Sequence, residues 1–164
     1  MKKEYVILTK DEIFKELDRL LVVNKRNIRK MEKTNHVDYI NILFNSEENV
    51  DYLPTIKEWT NNNNINLVVI DCKDKNDYSQ YELEDLKKEN VVLVVKNIYH
   101  VNVEFLNKRL LSTIENHSIV NNKIAFDNLI FVIGLNNDDS KSPDMKLTTL
   151  FGNCGCNYIE DQIN

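Results

Sequence analysis

The sequence predicts an α/β domain built on a mainly parallel, helix-flanked sheet, and three observations carry that expectation. The run Val91-Val92-Leu93-Val94-Val95 is apolar on both faces of an extended chain, the pattern of a strand covered on both sides. Leu129-Ile130-Phe131-Val132-Ile133 repeats that pattern. Between them lies a helix-period segment, with Val103, Leu106, Leu110, Leu111 and Ile114 on one face and Glu104, Lys108, Ser112 and Glu115 on the other. Strand, crossover helix and strand in that order leave a parallel sheet with right-handed connections as the main solution.

The 164 residues suit one domain with a sheet covered on both faces. Thr9-Lys10-Asp11-Glu12 has the capping-box spacing, so a helix is expected over 11–32. Its apolar stripe is Ile13, Leu17, Leu20, Leu21, Ile28 and Met31, expected to lie on the sheet, with a bend expected where Asn24 interrupts it. Asp38 to Phe44 reads as the first core strand. Asp51 then reads as the N-cap of a short helix that holds Pro54, Ile56 and Trp59 and stops at the run Asn61-Asn62-Asn63-Asn64. Leu67 to Ile70 is the next buried strand, leaving Asp71 and Cys72 at its C-terminal end. Ser79-Gln80-Tyr81-Glu82 repeats the capping-box spacing and opens a helix to Lys88. After 91–95 the chain turns through Lys96-Asn97-Ile98-Tyr99-His100 into helix 103–116, and a polar loop at Asn121-Asn122 leads to 129–133. A loop over 138–143, a short helix over 144–150 and a strand at Tyr158-Ile159 complete the order. The division expected is an extension over 1–35 and an α/β domain over 36–164.

With 26 acidic and 21 basic residues the net charge is −5. Lys and Arg read as scattered along the chain, so no footprint for a phosphate backbone is expected and direct nucleic-acid binding is not. Three cysteines, Cys72, Cys154 and Cys156, are an odd number that argues for a reducing compartment. The N-terminal apolar stretch is four residues long, too short for a signal peptide or a membrane span, so a cytoplasmic protein with no membrane partner is expected. Heavy use of Asn, Lys, Ile and Tyr follows from AT-rich coding.

The order of elements over 38–160 resembles the core of an AAA+ ATPase, the three-layer P-loop NTPase sandwich. The local match is Leu110-Leu111-Ser112-Thr113-Ile114-Glu115-Asn116 followed by Asn128-Leu129-Ile130-Phe131-Val132-Ile133-Gly134-Leu135-Asn136-Asn137. It is similar to that family's segment from the helix after the Walker B strand to the sensor-1 strand. The resemblance places Walker A at Asn45-Ser46-Glu47-Glu48-Asn49-Val50-Asp51-Tyr52, a stretch with no glycine and no lysine. Glu47, Glu48 and Asp51 set three carboxylates where a polyphosphate would sit, and no glycine precedes Gly134 to build such a loop elsewhere. The Walker B pair falls on Lys96 and Asn97, which can neither hold magnesium nor accept a proton. No arginine follows Arg109 to serve as a finger, the family's helical lid is not expected, and Asn136 or Asn137 stands at sensor 1.

Other chemistry is thinner. Cys154-Gly155-Cys156 with Cys72 lacks the usual zinc spacing and a fourth ligand, so no metal is expected. His36, His100 and His117 show no ligand or triad spacing and read as surface or loop positions. Asp71 reads as the cap of the turn that follows it. The function expected is therefore non-enzymatic and cofactor-free: a degenerate AAA+-like, protein-binding module, encoded by a bacteriophage or mobile element. It would act in DNA replication as adaptor or inhibitor of an AAA+ ATPase of the helicase-loader or clamp-loader type. Its expected partner-binding residues are Glu47, Glu48, Asp51, Glu104, Lys108 and Glu115. Two other readings stand beside it: a scaffold that self-associates through helix 11–32, and an enzyme with an unrelated site around Asp71, Lys96 and Asn136.

Overall fold

A reciprocal capping box opens the first helix. The Glu12 N–H donates to Thr9 Oγ1 at 3.2 Å while the Thr9 N–H donates to Glu12 Oε1 at 3.1 Å. The structure, a computed structural model, describes residues 5–34, 40–74, 90–101, 129–143 and 157–159; of 31–34 and 157–159 it gives the backbone course alone. In chain order the elements are α1 (Lys10–Thr34), β1 (Ile42–Asn45), α2 (Leu53–Asn62), β2 (Asn66–Asp71), β3 (Val91–Lys96), a 3₁₀ turn (Ile98–His100), β4 (Leu129–Asn136) and β5 (Asn157–Ile159).

The five strands form one sheet in the order β2-β3-β4-β1-β5. Every pairing is parallel, with Ile42 opposite Ile133, Val94 opposite Ile133 and Ile70 opposite Val95. β3 is interior and entirely buried from Val91 to Val95, as its two-sided apolar run requires, and β4 takes the middle place beside it. All eight residues of β4 are buried, and it continues past Ile133 to Asn136. A register shift at Val91/Val92 lets β4 advance by two residues against one of β3.

Side chains alternate across the sheet. Ile42 and Phe44, Val92 and Val94, and Phe131, Ile133 and Leu135 share one core with Ile13, Leu17 and Leu20 of α1 and Ile56 and Trp59 of α2. Leu93, Val95 and Val132 alternate with these and are equally buried, so the sheet is covered on both faces. Trp59 packs against Phe131 with the rings tilted at 55°, and its Nε1–H donates to Asp18 Oδ1 at 2.9 Å, fixing α2 to α1.

α1 runs as one helix through Asn24. Asn24 is buried because its amide is a bracket: Nδ2 donates to Leu20 O and Ile40 O, and Oδ1 accepts from the Ile40 N–H at 2.8 Å. That bracket holds the entry to β1. The strand starts at Ile42, later than the expected 38–44, since Ile40 is bonded to Asn24 and Asn41 uses its side-chain Oδ1 to accept from the Val132 N–H. The N-cap of α2 is Tyr52, not Asp51; the Asp51 carboxylate reaches over it to accept from the Leu53 N–H at 3.0 Å. α2 ends in the asparagine run as expected, with Asn64 at φ 55°. The expected helices 79–88, 103–116 and 144–150 lie outside the described residues.

Candidate functional site

In an open α/β sheet, ligands sit at the carboxyl ends of the strands where neighbouring connections part in opposite directions. Here β1 connects toward the β2 edge, and β4, its neighbour, connects to β5 on the far side of β1. The switch point is therefore the crevice between the ends of β1 and β4. It is lined by Ser46, Val50 and Asp51 from the β1–α2 loop, Lys96 and Asn97 from β3, and Asn136 and Asn137 from β4. The residues that the sequence placed at Walker A, Walker B and sensor 1 are thus brought together.

An asparagine clasp fills that crevice. Asn136 Nδ2 donates to Asn45 Oδ1 and to Asp139 Oδ1, each at 3.0 Å. Asn137 Nδ2 donates to Val50 O at 3.0 Å and to Glu48 O at 3.3 Å, so carbonyls of the β1–α2 loop turn inward. Two of the loop's N–H groups are taken up too, Ser46 on Asn136 O at 2.9 Å and Val50 on Glu47 O at 3.0 Å. At the start of α2 the Leu53 N–H is held by Asp51, and Pro54 has none. The space left is about 10 Å³, the size of a single water.

The N-terminal segment crosses the same end of the sheet. Tyr5 is buried and its hydroxyl donates to Asp139 Oδ2 at 2.9 Å, while the Leu8 N–H donates to the Tyr52 hydroxyl at 2.9 Å. Beyond it opens a cleft of about 1230 Å³ bordered by Glu47, Glu48, Tyr99, Asp138, Asp139 and Lys141. Glu48, Asp51 and Asp139 are exposed and Glu47 partly so. Glu104, Lys108 and Glu115 lie outside the described residues.

A charged knot ties the ends of β2, β3 and β4. Asp138 Oδ2 receives Lys73 Nζ at 2.7 Å and His100 Nε2 at 3.0 Å, and Asp138 Oδ1 accepts from the Ser140 N–H. Lys73 and that N–H hold the Asp138 carboxyl well below the usual carboxylate range. His100, expected at a surface or loop position, is a mostly covered member of this knot in the 3₁₀ turn. Asp71 caps its turn as expected, accepting from the Lys73 N–H at 3.0 Å, and accepts from Asn97 Nδ2 at 2.8 Å as well. Cys72 is buried; Cys154, Cys156, His36 and His117 lie outside the described residues. Among the described residues no group of three or more His, Cys, Asp or Glu side chains is placed to hold a metal ion. Among them, too, no helix is long and apolar enough to cross a membrane.

The residues the sequence did not single out are Tyr5, Lys73 and Asp139, and Asn45 reads there only as the first residue of the Walker A stretch. Asn45 and Asn136 did carry a signal, a polar residue closing a buried apolar strand.

No protein-family model matches the sequence, and no curated protein matches it. Among solved structures the chain is similar to RuvB of Thermotoga maritima. One point mutant of that RuvB aligns with TM-score 0.50 and 14% identity over 94% of this chain and 49% of that one. A second point mutant aligns with TM-score 0.50 and 12% identity over 88% and 45%. This chain therefore spans less than half the length of the RuvB chains it matches. The likeness is one of fold alone: a parallel, helix-flanked α/β sheet.

Proposed function

We propose that this chain is an AAA+-like domain that works by binding another protein and does not turn over nucleotide. The observation that carries this reading is the closed switch point: the asparagine clasp leaves about 10 Å³ where an α/β domain of this type would seat a ligand. The residues present do not fit a polyphosphate with magnesium. A phosphate needs free N–H donors and a cation, and this loop offers inward carbonyls, an Asp51 carboxylate on the helix start and no lysine. On the AAA+ resemblance, Lys96 and Asn97 fall where a magnesium-binding carboxylate and a carboxylate that accepts the attacking water's proton would be needed.

What such a domain keeps is its surface. The partner proposed is an AAA+ ATPase of the helicase-loader or clamp-loader type, with this chain as adaptor or inhibitor. The exposed carboxylates of Glu48 and Asp51 and the partly exposed one of Glu47 are its docking residues on the described side. Calorimetry of the chain with ATP–Mg tests the first half, with no binding heat expected; an affinity in the micromolar range overturns it. Affinity capture tests the second half: an AAA+ ATPase should be retained, and Glu47→Lys with Glu48→Lys should release it. Retention indifferent to that double change sinks the proposed docking face.

A further inference from the structure

Among the described residues the exposed large apolar side chains are Val6, Ile7 and Val22, at 40%, 62% and 57%. They fall at opposite ends of the domain. α1 begins beside Tyr52, past the end of β1, and at Asn24 it is bonded to Ile40, ahead of the start of β1. It therefore runs antiparallel to β1, and the part after Asn24 continues for about 15 Å at 1.5 Å per residue.

On this continuation Lys25, Arg26, Arg29 and Lys30 are all exposed. At 100° per residue they cover an arc of about 140°, with Val22 one turn earlier in its middle. These cations are not scattered, as their places along the chain suggested, because helical periodicity gathers them on one face. The helix dipole favours positive charge in the last turn only, and these four residues precede it. The opposite end carries the complementary set. Glu47, Glu48, Asp51 and Asp139 surround the strand ends, and Val6 and Ile7 lie on the segment spanning from Asp139, through Tyr5, to Tyr52, through Leu8.

We propose that the basic end of α1 docks on the acidic strand-end face of a second copy of this chain, so that copies associate head to tail. Charge complementarity within a chain of net charge −5 supplies the match. Val22 points to a protein occupant, since an apolar centre with a charged rim suits a protein surface and a phosphate backbone gives it nothing to meet. The two faces differ, so the contact is heterologous and each copy retains one unused pole. Exposed ion pairs are individually weak and screened by salt, so the association is weak and salt-sensitive.

Sedimentation velocity on the full 164-residue chain tests this. The average mass should rise with concentration in about 50 mM salt and return to the monomer in about 500 mM. Lys25→Glu with Arg26→Glu, and separately Glu47→Lys with Glu48→Lys, should each leave the chain monomeric, weakening self-association by about 10-fold or more. Mixing the two variants should restore association, because each then presents the charge the other needs, and that rescue also shows both to be folded. A wild-type chain that stays monomeric in low salt overturns the proposal, as does a mixture that does not associate. Binding to duplex DNA that is lost with Lys25→Glu and Arg26→Glu, in a chain that stays monomeric, gives the patch to an outside polyanion and overturns it too. Nucleotide plays no part in this test, so it and the calorimetry fail separately.

Discussion

Asparagine does in this chain what glycine does in most. The sequence holds three glycines, and the non-glycine residues at positive φ among the described ones are Asn64, Asn90 and Asn97, at 55°, 51° and 54°. Asparagine tolerates that region because its short amide bonds locally; an ordinary Cβ there costs about 1–2 kcal/mol. Asn64, exposed after α2, isolates the effect: Asn64→Ala should lower unfolding free energy by about 1 kcal/mol, whereas Asn64→Gly should hold it, both by urea titration. Asn24 is used for its amide instead. Asn24→Leu strands the N–H and carbonyl of Ile40 and should cost about 1–3 kcal/mol in the same titration; a change within error would show that the bracket is dispensable. Composition reveals the excess of asparagine but not these roles, which depend on the φ of three turns and on a contact sixteen residues away.

At the scale of elements, the legible features are those with local causes. The capping box of α1 formed as its four residues specify, and the Thr9 N–H holds the Glu12 carboxyl below its ordinary range. Thr9→Ala should cost about 1 kcal/mol by urea titration. Asp51 was half legible: its carboxylate meets the start of α2, but Pro54 moves the helix boundary so that Tyr52 takes the N-cap place. The knot at Asp138 was not legible, because Lys73, His100 and Asp138 belong to three different strand ends. It has a pH signature. Its folded pKa lies below the unfolded one, so its contribution to stability is full above the ordinary carboxylate value of about 3.9 and fades as pH falls through the folded value. Asp138→Asn should therefore lower stability near neutrality and flatten the acid side of a melting-temperature profile. Parallel profiles for the two proteins would deny Asp138 that role.

At the scale of the molecule, strand order decides what the ends of the strands can do. The apolar runs at 91–95 and 129–133 made a parallel sheet legible, but nothing local states that β4 takes the middle place beside β1. The clasp depends on that placement, since Asn45 and Asn136 are 91 residues apart and meet only because their strands are neighbours. The same order gives α1 its place. The helix lies across the sheet, and Leu17, fully buried, sits among residues of β1, β4 and α2 in one continuous core. If α1 is part of that core, truncating it weakens the whole sheet at once. Leu17→Ala should lower unfolding free energy by about 2–5 kcal/mol. Helix-sensitive circular dichroism and Trp59 fluorescence should still report one coincident transition, because Trp59 packs against Phe131 of β4 and bonds Asp18 of α1. An early loss of helix signal with Trp59 fluorescence unchanged would instead make α1 a separate unit laid on an independently stable sheet.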